Sequence, residues 1–173
     1  MKNIFWAGLL IFGSMETIAA CGGSKPVPTQ AHEASQPEWL TQGSGAFARE
    51  SGKRLQGVGT ANASDPRERR QSADAQAKSQ LSQTLDAFLA QLTKLSESTQ
   101  DNLGDAIDAI GKKTLEKSQI LDHWVTTDGA EQAVAVLELD AFKTAVRKVE
   151  GDGKLKIEMA NNAGKAFDAL ARQ

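Results

Sequence analysis

Leu81, Leu85, Phe88, Leu92 and Leu95 recur at spacings of four, three, four and three. On a helix that spacing makes one apolar stripe. Ala73 and Ala77 continue the stripe toward the N-terminal side with small residues, which permits close packing there. Ser64-Asp65-Pro66 supplies a start signal, a capping residue followed by proline in the first turn. The pattern predicts a long helix packed on a sheet. A coiled-coil seam is the alternative, but the stripe is shorter than the three to four heptads that such a seam needs. Leu103, Ile107 and Ile110 form a second, shorter helical face, weakened by Gly104 and Gly111. It is either a separate short helix or a kinked continuation.

Before the long helix, Gly45 to Ser51 and Lys53 to Ala61 read as two strands around a Ser51-Gly52 turn. Gly57 and Gly59 in the second strand signal a bulge or a close approach of another backbone. After the helices, Ile120 to Thr126 and Gln132 to Leu139 are rich in β-branched and apolar residues. Asp128-Gly129 between them is a two-residue turn signal. A helix follows from Asp140, with Phe142, Val146 and Val149 on one side, until Gly151-Asp152-Gly153 breaks it. Leu155, Met159, Ala163, Phe167 and Leu170, with Ala166 between them, predict a C-terminal helix. The expected fold is α+β: a small antiparallel sheet of two hairpins packed against a long helix, with further C-terminal helices. Trp39, Trp124 and Phe142 are expected as core anchors.

The first twenty residues follow a different pattern. Lys2 is a short positive region, and Ile4 to Phe12 is an apolar run of nine residues. Such a run suits a signal segment of roughly 7–15 residues, and a membrane-spanning helix needs about 20. Ile18-Ala19-Ala20-Cys21 closes it, and Cys21 is the single cysteine of the chain. These four residues resemble the bacterial lipobox. The resemblance implies that the Cys21 thiol receives a diacylglyceryl group, that the chain is cut before it, and that the new amine is acylated. A thiolate is the nucleophile such a transfer needs. Glu16 departs from the usually uncharged family pattern. The expected organisation is a signal peptide over 1–20, a flexible tether over 21–38, and a single domain over 39–173. With Gly22 in place of the aspartate that favours inner-membrane retention, the resemblance implies the outer membrane, facing the periplasm.

The formal net charge is −2, and loss of the leader removes one charge of each sign, Lys2 and Glu16. A mildly acidic chain lacks the footprint of a nucleic-acid binder, so no nucleic-acid partner is expected. Arg67, Arg69 and Arg70, interrupted by Glu68, read as a solvated helix start. Candidate chemistry is sparse. His32 falls in the tether, and His123 in a strand, half-buried or at a sheet edge. Asp122 alternates to the opposite face from His123, so the two make no acid–base pair. Two distant histidines and one lipid-bearing cysteine leave no zinc set, and no metal or cofactor is expected. Glu150 to Gly153 fails as a calcium loop, because its register puts Lys148 and Met159 at ligand positions. Gly57-Val58-Gly59 lacks the third glycine of a dinucleotide site.

Pro37-Glu38-Trp39, Gly57-Val58-Gly59-Thr60-Ala61, Ala73, Ala77 and Leu81, then His123-Trp124 and Leu137-Glu138-Leu139-Asp140 occur in this order. Together they resemble the LPP-twenty-type family of bacterial membrane-associated lipoproteins, over most of residues 37–142. That resemblance implies an outer-membrane lipoprotein with helices on a sheet and no catalytic residues. The expected function is non-enzymatic: a lipid-anchored envelope protein acting through contacts with an envelope partner or in a homo-oligomer. The alternative is a periplasmic binding module for a small ligand or cell-wall fragment, with its cleft between the long helix and the Trp124 strand.

Overall fold

A computed structural model describes residues 36–96, 103–150 and 152–173. Nine elements follow in order: α1 (Glu38–Gln42), β1 (Gly45–Arg49), β2 (Gly52–Ala61), α2 (Pro66–Leu95), α3 (Leu103–Leu115), β3 (Gln119–Val125), β4 (Glu131–Glu138), α4 (Leu139–Lys148) and α5 (Gly153–Leu170). The strands form one antiparallel sheet in the order β1-β2-β4-β3, so the two hairpins join through their inner strands. The fold is α+β, with α2 lying on the sheet. The stripe on α2 is therefore a helix-on-sheet face and not a coiled-coil seam.

Alternation along β2 and β4 decides what each face holds. Leu55, Gly57 and Gly59 stand opposite Leu137, Ala135 and Ala133. The apolar members of this face pack with Ala73, Ala77, Leu81, Leu85, Phe88 and Leu92 of α2. Side chains on this part of the sheet are small because the helix backbone comes very close. A Cβ on Gly57 would meet the Leu81 Cα at 2.7 Å and would run into the Ala77 carbonyl and the Leu81 amide. One on Gly59 would run into the Ala77 amide and the Ala73 carbonyl. The glycines thus mark a close approach and not a bulge. Asp65 caps α2 by accepting the Glu68 amide at 2.9 Å, ahead of Pro66. Leu95 departs from the expected stripe, standing 39% exposed where the helix ends. Leu89 is buried instead.

The remaining helices complete the core. Phe88 and Phe142 of α4 meet edge to face, with ring centroids 4.9 Å apart. Leu155, Met159, Ala163, Ala166 and Phe167 of α5 are buried in the same cluster. Asp152 caps α5 by accepting the Lys154 amide. α3 is a helix of its own, placing Ile110 in the core.

Three further features depart from the sequence pattern. Helix α1 has no counterpart in the sequence pattern; Trp39 on it is buried against Val134 and Val136, on the face of the sheet away from α2. Trp124 packs at the edge of that second cluster and is only half-buried, so it is not a central anchor. The β3–β4 connection runs over residues 126–130 and is not a two-residue turn. Thr126 organises it: its amide bonds the Ala130 carbonyl at 2.9 Å, and its hydroxyl bonds Asp128. The Thr126 hydroxyl holds the Asp128 carboxyl below the usual carboxylate range. Gly129 takes the positive φ, 85°, that closes the loop.

Candidate functional site

β3 is an edge strand, and its register shifts between Ile120 and Asp122. Beyond the shift, Asp122 and His123 stand on opposite faces, opposite Val134 and Ala133 respectively. Each residue ties the strand to a different helix. On the far face, Asp122 Oδ2 accepts the indole N–H of Trp39 at 3.1 Å. On the α2 face, His123 Nε2 lies 2.6 Å from Asp74 Oδ1, and His123 Nδ1 lies 3.0 Å from an Arg70 guanidinium nitrogen. Asp122 Oδ1 also accepts the His123 amide, so part of the exposed edge is satisfied from within the strand. A bulge and a charged side chain of this kind blunt an edge against pairing with another chain.

The contacts determine the proton position on His123. A guanidinium has only donors, so the Nδ1 that faces Arg70 must carry the lone pair. The proton then sits on Nε2 and is donated to Asp74. Nitrogen NMR of the imidazole is expected to show the Nε2–H tautomer in the neutral form. A predominant Nδ1–H tautomer would contradict the Arg70 contact.

Glu131 extends the cluster. It is only 5% exposed, and its carboxylate lies 3.8 Å from Arg69 Nε and 3.9 Å from Arg70 Nη1. Arg69 also donates to the Ala63 carbonyl at 3.2 Å. Arg67 and Arg70 of the basic cluster are exposed, as a solvated helix start requires, while Arg69 is half-buried beside Glu131 and Arg70 also reaches His123. A buried carboxylate needs such partners, because an unpaired buried charge is strongly unfavourable.

Chemically the cluster is a clamp. A His–Asp pair serves catalysis when the imidazole's second nitrogen faces a nucleophile. Here that nitrogen faces Arg70. The expected edge-strand, half-buried position of His123 is found, and Asp122 is not its acid partner. The acid partner is Asp74, which sequence reasoning missed. The only signal was Arg70 and Asp74 at a four-residue spacing beside the apolar stripe.

A second polar network seats α1. Buried Gln56 donates to the Gly43 carbonyl at 2.6 Å and accepts from Arg54 at 3.0 Å. Arg49 bonds Glu38 and Gln42 of α1. Burial, then repulsion from Arg49, lowers Arg54 from its ordinary value, and Glu138 and Glu38 oppose the shift.

Among the described residues, no group of three or more His, Cys, Asp or Glu side chains could hold a metal ion. Asp152 serves as a helix cap. Between α2 and β3, the strand that carries Trp124, His123 contacts Asp74 and Arg70, and the Trp124 side chain packs on the sheet face opposite α2. Cys21, the lipobox residues Ile18, Ala19 and Ala20, and His32 lie outside the described residues. No family model matches the chain. No curated protein matches it significantly.

Proposed function

We propose that this chain is a lipid-anchored lipoprotein of the bacterial envelope, of the LPP-twenty type, acting through protein contacts and not through catalysis. The observation that carries the reading is Ile18-Ala19-Ala20-Cys21 directly after an apolar leader. Each acyl CH₂ buried in a bilayer contributes about 0.8 kcal/mol, so two or three long chains on Cys21 hold the protein permanently. No helix among the described residues is long and apolar enough to cross a membrane. Gly22 after the cysteine favours the outer membrane, with the domain facing the periplasm.

The 17 residues from Cys21 to the start of α1 at Glu38 reach at most about 60 Å when extended. The start of the domain therefore lies within that distance of the bilayer. Both ring nitrogens of His123 are committed to holding β3, which favours a binding role over a catalytic one.

Crosslinking in intact cells, followed by purification from the membrane fraction, tests the role. The expected result is one enriched envelope protein or a defined homo-oligomer. A strictly monomeric protein with no enriched partner would contradict the proposal.

A further inference from the structure

A groove of about 330 Å³ lies where the end of α4 meets the first half of α5. It is lined by Arg147, Gly153, Lys156, Ile157, Ala160 and Asn161. That volume is at the lower end of the range for small-molecule sites, roughly 300–1,000 Å³. Two features give it a chemical character. First, both ionic groups in the lining are cations; Glu150 and Glu158 are near in sequence but do not line it. Arg147 is exposed and makes no ion pair among the described residues. Lys156 is held in place by donating to the Val149 carbonyl at 3.0 Å. Second, one face of α5 offers an apolar strip beside these cations. Gly153, Ile157 and Ala160 follow one another at helical spacing, and Ile157 is 65% exposed.

We propose that this groove binds a single-chain anionic amphiphile, an alkyl chain carrying a phosphate or carboxylate head. Arg147 pairs with the head through two parallel hydrogen bonds, the geometry that guanidinium offers to such anions. Lys156 adds a second positive charge. The chain lies along Ile157 and Ala160 and covers the isoleucine. The site is separate from the His123 cluster and does not depend on the anchor at Cys21.

The test uses dodecyl phosphate below its micelle concentration, titrated into the full chain carrying Cys21→Ala and followed by amide NMR. Dodecyl maltoside and inorganic phosphate are the comparison probes. Saturable shifts are expected for dodecyl phosphate, centred on residues 147 and 153–161, with much weaker binding of either comparison probe. Arg147→Gln should weaken binding about tenfold, the loss of one charge-assisted pair. Ile157→Ser should weaken it by a similar factor. Both side chains are exposed, so neither change threatens the fold. Equal binding of the neutral detergent, equal binding of bare phosphate, shifts mapping elsewhere, or no saturable binding would each overturn the proposal.

Discussion

Gly57→Ala is expected to cost the domain about 3 kcal/mol or more, the upper part of the range for overpacking. The single added methyl would meet the α2 backbone at Ala77 and Leu81, with the Leu81 Cα at 2.7 Å. Backbone atoms of a 30-residue helix cannot step aside as the end of a flexible side chain can. Relief requires α2 to lift from β2, which opens the packing around Leu81 and Leu85. Gly164→Ala is the matched control. It adds the same methyl within α5, where nothing lies within 4 Å. It should raise stability by about 0.5–1 kcal/mol, the usual gain on replacing a mid-helix glycine. Urea unfolding of the two variants checks the pair. A Gly57→Ala protein within about 0.5 kcal/mol of wild type, the scatter of an ordinary surface change, would mean the helix does not approach so closely.

Leu85→Asp is expected to leave no cooperatively folded domain. Leu85 is 1% exposed in the middle of the α2 stripe. The substitution removes an apolar side chain and places a carboxylate where the surrounding cluster is apolar. Loss of the leucine alone costs about 2–5 kcal/mol, and burying an unpaired charge adds to it. That total rivals the roughly 5–15 kcal/mol that separates a folded domain from its unfolded chain. Circular dichroism and thermal melting give the readout. An unchanged melt would place the stripe on the surface.

What could be read from the sequence follows from the range of each signal. The α2 stripe, the Asp65-Pro66 start and the α5 pattern are local, because a helix writes its buried face into neighbouring turns. The meaning of Gly57 and Gly59 was half legible. Two glycines in a strand indicate a close approach, and the small residues Ala73 and Ala77 on the helix fit it, but nothing local says which backbone arrives. Helix α1 was hidden because five residues with one buried tryptophan have no period to detect. The Thr126–Ala130 loop is hidden because Asp128-Gly129 resembles a tight turn, while the Thr126 hydroxyl organises a longer one. Of the His123 clamp only the Arg70–Asp74 spacing is local, since Asp74 is 49 residues from His123 and is brought to it by the docking of α2 on the sheet. Residue type alone places Trp124 with the core, whereas its parity along β3 sends it to the face opposite α2.

The central claim is the lipid anchor, and mass spectrometry of the mature N-terminal peptide tests it most directly, with membrane fractionation of wild type and Cys21→Ala alongside. The predicted result is a chain that begins at Cys21, carries diacylglyceryl and acyl mass on that residue, and sediments with the outer membrane, while Cys21→Ala leaves that fraction. An unmodified Cys21 in a soluble protein would contradict the account.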